Sequence, residues 1–365
     1  MIISRRKSLT LVGGGAILAA GGGGAVWAST RVPSRALAPW DAAGHGSDPR
    51  IAALSYAILA PNPHNLQPWL VALEGTLGAS LWRDPAKALL MTDPADRQIV
   101  IGLGCFLEQA RVAATMTGHR LDADLWPEGP DGPVAALRWS DGAEADPLAA
   151  HLMDRRSCKE PFGPDALRPV DAAAIARHAT VYDNSDMVAA IKAITWEAWL
   201  IEAHTPRTMR ESAELMRFGR DEIEASPDGI DLGGPFLEGL HRVGLLNERT
   251  VQDPSSQSFA TAVSIYDETL HATPAYAAIV GADTPEGRIE AGRRYLRANL
   301  AATGAGVSMH PVSQALQEFP EMAGPHKAIH DLLATGGGTV HMLARIGYGP
   351  DVPRTPRWPL EVKMI

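Results

Sequence analysis

The chain has 365 residues, 45% of them hydrophobic and 21% charged, with a formal net charge of −9. That composition fits a globular protein with one large core or two domains, and it speaks against a disordered chain or an integral membrane protein. The acidic balance, without a basic stripe interleaved with aromatics, argues against a nucleic-acid partner, and two cysteines, Cys105 and Cys158, cannot build a disulfide framework.

Residues 1–30 read as a separate object. Ser4-Arg5-Arg6-Lys7-Ser8-Leu9 leads into a Gly/Ala-rich apolar stretch ending in Val26-Trp27-Ala28. Twin arginines, a weakly hydrophobic core and a small-residue end resemble a Tat-type export signal. A periplasmic or otherwise exported protein is therefore expected, with the Tat machinery as a partner. The stretch is too glycine-rich for a persuasive span, so no stable membrane span is expected in the mature form, although an uncleaved anchor stays open. Residues 31–48 read as a Pro/Gly/Ala linker.

Apolar Ile51, Leu54, Ile58 and Leu59 recur at helical spacing and predict a helix over Pro49 to Leu59. The segment A-P-N-P-H-N-L-Q-P-W from Ala60 to Trp69 follows, and its prolines forbid regular helix or strand. Asn62, His64, Asn65 and Gln67 suit directed hydrogen bonds from a stiff loop, fit to hold the edge of a flat heteroaromatic ligand. A plain turn is the alternative. Trp69 opens an apolar strand that pairs with Ala79 to Trp82, and a long helix runs from about Asp96 to Thr117. The polar passage from Trp126 to Asp146 holds one short strand, Val134 to Trp139. A second unit begins near Pro147, which divides the chain into lobes at 49–146 and 147–365.

An internal correspondence supports two related lobes. Gly104 leads to A-A-T-M-T-G ending at Gly118, and Gly292 leads to A-A-T-G-A-G ending at Gly306, without a gap between them. The second lobe opens on Asp154-Arg155-Arg156-Ser157-Cys158-Lys159-Glu160-Pro161-Phe162, three cations and a hydroxyl suited to phosphate, or else a solvated charge cluster. Residues 207–255 begin with a charged amphipathic helix, Met209 to Ile223, and form either a lid or a surface excursion. His326 and His330 lie one turn apart without a third ligand, so no metal site is expected. The C-terminus supplies R-I-G-Y-G and then R-T-P-R-W-P, with Arg354 and Arg357 on a proline-stiffened tail.

Taken together, these motifs resemble the FMN-dependent nitroreductase family. A-P-N-P-H-N-L-Q-P-W is similar to its A-P-S-x-x-N-x-Q-P-W segment, R-R-S-C-K-E-P-F to its R-[RH]-S-x-[RK]-x-F opening, and the C-terminal segments to its closing strand and basic tail. Ordinary members carry R-S-x-[RK] before N-x-Q-P-W and pair two subunits. Here the order is reversed and each motif occurs once, which resembles the Acg-like branch, where one long chain imitates the dimer.

The resemblance implies an α+β, nitroreductase-like fold: two related lobes, each with a mixed or antiparallel sheet packed by helices, forming an intrachain pseudo-dimer. It implies FMN as cofactor, one per chain. Arg155 and Arg357 would hold the phosphate, aided by Arg354, with Arg156 and Ser157 toward the phosphate and ribityl chain. Lys159 would approach the pyrimidine end. Asn62, Pro63 and Asn65 would line the ring edge, with Gln67 supporting the loop. Ser308, Met309 and His310 would lie near flavin N5, where the family's usual Glu-Gly pair is absent. His310 is a conceivable proton donor, with a structural histidine as the alternative. The implied activity is ping-pong transfer of a hydride or electrons through the flavin to a small flat acceptor such as a nitroaromatic or quinone. A flavin-sequestering protein with little turnover, or an exported flavin dehydrogenase or oxidase, stands as the alternative. A monomer is expected, with a dimer left open.

Overall fold

Two four-stranded antiparallel sheets, each carrying one of a pair of long helices, make up the computed structural model, which describes residues 30–365. The export-signal reading falls on residues 1–29 and lies outside the described residues. The first lobe contains α1 (Ser34–Ala42), α2 (Pro49–Ala57), β1 (Trp69–Glu74), β2 (Gly78–Arg83), α3 (Arg97–Thr115), β3 (His119–Leu125) and β4 (Ala135–Asp141). The second lobe runs α4 (Pro169–Ala176), β5 (Thr180–Tyr182), β8 (Ala275–Gly281), α11 (Pro285–Gly304), β9 (Ser308–Pro311), α12 (Ala323–Leu333) and β10 (Thr339–Gly347). Between β5 and β8 lies an insertion: α5 (Ser185–His204), α6 (Pro206–Glu214), β6 (Met216–Phe218), α7 (Arg220–Ala225), β7 (Ile230–Leu232), α8 (Pro235–Arg242), α9 (Glu248–Gln252) and α10 (Gln257–His271).

The two sheets share one connectivity. Their strand orders are β1-β2-β4-β3 and β5-β8-β10-β9, with every neighbour antiparallel. In each, the long helix follows the second strand and leads to the far edge strand. The helices start on recognisable signals. Asp48 caps α2 through the Arg50 amide and Thr284 caps α11 through the Gly287 amide, each with proline at the first turn.

Helices α3 and α11 meet glycine to backbone. A Cβ on Gly104 would come within 2.2 Å of the Ile289 carbonyl oxygen, and one on Gly292 within 2.1 Å of that of Ile101. The contact is reciprocal, as at a two-fold interface, because Ile101 and Gly104 match Ile289 and Gly292 at the same offset. Both helices then exit through left-handed glycines, Gly118 at φ 75° and Gly306 at φ 72°. The correspondence seen in the sequence is thus the seam of the fold. One apolar core surrounds it, from Trp69, Phe106 and Trp139 in the first lobe to Ala277, Tyr295 and Ile346 in the second.

Two expectations need correction, and one strand was not foreseen. Residues 31–48 are more than a linker: α1 is helical despite Pro39 and buries Trp40, whose Nε1 donates to the Thr355 carbonyl at 2.8 Å. Tertiary burial of the indole outweighs local propensity. The chain from His119 to Leu125, for which the sequence raised no expectation, is an edge strand with Arg120, Asp122 and Asp124 facing outward. The helix expected over Met209 to Ile223 is broken in two by β6, which pairs in parallel with β7, and by Gly219 at φ 82°. Among the described residues no helix is long and apolar enough to cross a membrane.

Candidate functional site

The connection from α2 to β1 holds three of the five non-glycine residues with left-handed φ among the described residues. His64, Asn65 and Gln67 all adopt left-handed φ, at 47°, 56° and 54°. Such conformations cost non-glycine residues on the order of 1 kcal/mol each, and they persist where the surroundings hold them. The surroundings here are specific. Asn62 Oδ1 accepts from the Gln67 amide at 2.8 Å, and Pro63 packs on Gly102 of α3. Gln67 is fully buried, donates to the Pro227 carbonyl at 2.9 Å and accepts from the Trp358 amide at 2.8 Å. Asn65 donates to the carbonyls of Pro227 and Pro356, and its Oδ1 accepts from Arg357 at 2.5 Å. The loop's amides are therefore spent on the protein. Its open polar atom is His64 Nδ1, buried without a hydrogen-bond partner. Burial, with Lys159 nearby, pulls the His64 pKa down to about 4.

Four arginines gather around Trp40. The guanidiniums of Arg156, Arg354 and Arg357 lie 4.5, 5.5 and 5.9 Å from its ring, and Arg155 adjoins Arg156 and Arg357 electrostatically. They differ in how far they are satisfied. Arg357 is 3% exposed and donates to the carbonyls of Ile58, Leu59, Ala60 and Pro356, besides Asn65 and Thr355. It therefore works as a strut between tail and loop. Arg354 pairs with Asp41 at 2.7 Å. Among the described residues Arg156 uses only Nη1, on the carbonyls of Met153 and Arg155. Arg155 is equally buried, donates through Nη2 to the Leu59 carbonyl at 2.9 Å, and leaves Nε without a partner. Burial and mutual repulsion lower the pKa of Arg156 to about 10 and of Arg357 to about 9. A cationic cluster this poor in carboxylates is an anion site in waiting.

The rest of the R-R-S-C-K segment reaches β9. Ser157 lies near the Tyr295 hydroxyl, and the Cys158 amide donates to the Met309 carbonyl at 3.1 Å. Met309 itself is buried, whereas Ser308 keeps partial exposure beside Cys158 and Gly349. Lys159 acts electrostatically on both His64 and His310, so the first-lobe loop and β9 face the same ammonium. Its own pKa is lowered by burial, with Asp231 of β7 opposing. The insertion supplies that carboxylate and more. The Gly229 amide donates to the Asn65 carbonyl, and Asp228 accepts from Lys87 at 2.5 Å and from Trp358 Nε1 at 3.0 Å. Residues 227–229 thus lie directly on the loop.

The structure therefore brings Asn62, Pro63, Asn65 and Gln67 together with Arg155, Arg156, Ser157, Lys159, Arg357 and His310 around one region. Arg354 sits at its rim. Sequence reading missed Trp40, Arg345 and Asp228. A lone tryptophan in a Pro/Ala stretch was a usable signal for the first; the other two are ordinary charges until the fold places them. Elsewhere, an open cleft of about 610 Å³ lies between α4 and α11, lined by His151, Arg177, His178 and Arg297.

No protein-family model matches the chain. Two Mycobacterium tuberculosis proteins provisionally named NAD(P)H nitroreductases, MT3217 of strain CDC 1551 and Rv3131 of strain H37Rv, are each 26% identical over 340 residues, 85% of this chain and 91% of theirs. Among solved structures, the FMN-dependent nitroreductase NfnB of Mycobacterium smegmatis in complex with NADPH is 18% identical, covering 59% of this chain and 96% of that one at a TM-score of 0.35. A nitroreductase-like family protein of Bacillus cereus is 12% identical, covering 61% and 97% at 0.33. Sequence similarity across most of the chain thus supports the nitroreductase family for this protein, with no branch within it distinguished.

Proposed function

We propose that this chain is an FMN-dependent oxidoreductase of the nitroreductase kind, acting on a small flat acceptor such as a nitroaromatic or quinone. The observation that carries the reading is the under-neutralised arginine cluster, with Arg155 Nε buried and unpartnered, beside a strained loop and a half-buried lysine. These residues fit the group. Arg155 and Arg156 have donors to spare for a phosphate monoester, and Ser157 adds a hydroxyl next to them. Arg357 and Asn65, whose donors are engaged, hold the walls apart. Lys159 brings a cation suited to the polar edge of an isoalloxazine and to negative charge arising there. When bound, FMN supplies the two-electron chemistry that none of these side chains can perform.

The proposal extends to the whole chain as a single-chain pseudo-dimer with one flavin, a monomer in solution, exported through Arg5 and Arg6 by the Tat route. Supporting the pseudo-dimer are the shared sheet order and the reciprocal glycine contact. The purified protein should carry about one flavin per chain; a ratio near two sinks this reading. One observation favours storage over turnover: residues 227–229 are hydrogen-bonded onto the Asn65 and Gln67 loop, as a lid would be. Anaerobic mixing with NADPH and NADH decides. Rapid bleaching of the flavin band supports the reductase, and no bleaching with either donor supports sequestration.

A further inference from the structure

We propose that His310 is a permanently neutral hydrogen-bond donor, offering Nε2–H to a lone pair of the bound ligand, with Arg345 as the positioning residue that fixes its tautomer. The identity of that ligand rests on the flavin reading above; the state of the ring does not.

Arg345, on β10, is fully buried. Its Nη1 donates to the Thr269 carbonyl at 3.1 Å, and its Nη2 to those of Cys158 and Glu160 at 3.1 and 2.6 Å. The guanidinium lies 4.0 Å from the Phe162 ring centroid. Nε is left, and it meets His310 Nδ1 at 2.8 Å. A guanidinium has donors only, so Nδ1 must supply the lone pair. The single imidazole proton therefore sits on Nε2, however hydrogens are assigned.

Protonating the ring would set a second N–H against the guanidinium in the interior. Lys159, from the segment leading to Phe162, is a further cation facing the ring. Glu160, half-buried, serves Arg345 rather than His310, and burial raises its own pKa. Burial first, then Arg345 and Lys159, hold the His310 pKa well below its ordinary value. His310 is 5% exposed, and Nε2 makes no hydrogen bond among the described residues. The ring is buried but its Nε2 edge stays accessible, so an acceptor on a ligand can reach it and would gain roughly 1 kcal/mol from the hydrogen bond. The ring then orients and polarises that ligand without giving up its proton, since its acid form is not populated near neutrality.

The first test uses the flavin-free chain with nitrogen-15 histidine, read by NMR. His310 should show the Nε2–H tautomer and no titration between about pH 8 and pH 5, a window that spans the ordinary histidine value. Titration in that window, or an Nδ1–H ring, overturns the proposal. Arg345→Met should mix the tautomers and let the ring titrate toward about pH 6.5. Should that variant not fold, His310→Gln and His310→Phe replace it. Glutamine can both accept from Arg345 and donate onward; phenylalanine can do neither. FMN affinity, followed by fluorescence quenching, should fall about 3- to 10-fold in His310→Phe and stay near native in His310→Gln. The same factor appearing only in the KM for the acceptor also supports the donor and assigns it to the substrate. Equal affinities and KM values across all three forms overturn it. A chain that binds no FMN at all defeats the flavin reading and leaves the NMR result standing.

Discussion

The two lobes contain the same connection built in two ways. Residues 58–68 join α2 to β1, and residues 177–179 join α4 to β5; both run from a proline-started helix into the outer strand of an identically ordered sheet. The first is long, polar and left-handed at three residues, with Arg155 behind it carrying an unpartnered Nε. The second is a tight link. Behind it, Arg297 of α11 is closed by Glu108 of α3 at 2.5 Å and by Asp146 at 2.6 Å. Duplicating a frame does not duplicate a site. One side keeps open donors, and the other spends its charge on an internal ion network.

The sharpest way to break that contrast is a crossed pair of substitutions. Arg297→Met takes the main partner from Glu108, which is 1% exposed, and leaves a buried carboxylate with only the 3.5 Å contact to Arg111. Stability in urea unfolding should fall by about 3 kcal/mol, with flavin content unchanged. Arg155→Met should do the reverse: small change in urea midpoint and at least about a 100-fold loss of FMN affinity, or roughly 2.7 kcal/mol. If the two variants exchange phenotypes, the division of labour between the two faces is wrong.

Each connection also holds one histidine, and pH separates them. His64 is held neutral when folded, with its pKa near 4, while the unfolded chain takes up a proton near pH 6.5. The unfolded state therefore binds more protons as pH falls from about 6.5 toward 4. The stability that neutral His64 contributes is complete above that window and is lost on acidification, about 2 kcal/mol of it by pH 5. His64→Asn should flatten this part of the pH profile, because asparagine tolerates a φ of 47° and carries no proton. His178, half-buried, has its pKa lowered by burial and by Arg297. His178→Asn should flatten the profile less. A larger effect from His178 would mean that the tight link, rather than the strained loop, is the buried one.

Much of this was legible in the sequence, for reasons that differ by region. Helix α3 and strands β1 and β2 were expected, and the glycine correspondence, read as two related lobes, falls in the structure on the helix seam, where close approach admits no other residue at Gly104 and Gly292. The site was legible as far as motifs reach: Arg155, Lys159 and the Asn62 to Gln67 loop do converge. What could not be read was how each side chain is satisfied. Arg354, Arg155 and Arg357 look alike in sequence, yet one pairs with Asp41, one is open, and one is saturated by carbonyls. That distinction depends on backbone from residues 58–60, nearly 300 positions before Arg357. Trp40 was missed for the same reason, since its burial is set by the tail at Thr355.

The finest difference between the two sides is the cover. The cleft beside Arg177 is open, whereas the loop at Asn65 is overlaid by residues 227–229, pinned at Asp228 by Lys87, Trp358 and Ser226. Asp228 is 2% exposed, and these partners hold its pKa low against the opposing effect of burial. Asp228→Asn keeps the shape and can still accept from Trp358 Nε1, but loses the charge that holds Lys87. The backbone bonds from Pro227 and Gly229 remain, so the segment should loosen without unfolding. The expected result is a rise of about tenfold in the FMN release rate, near 1.4 kcal/mol, with an unchanged urea midpoint. Equal release rates would mean that the overlay is fixed wall and not a latch. The closed side would then differ from the open one in packing alone.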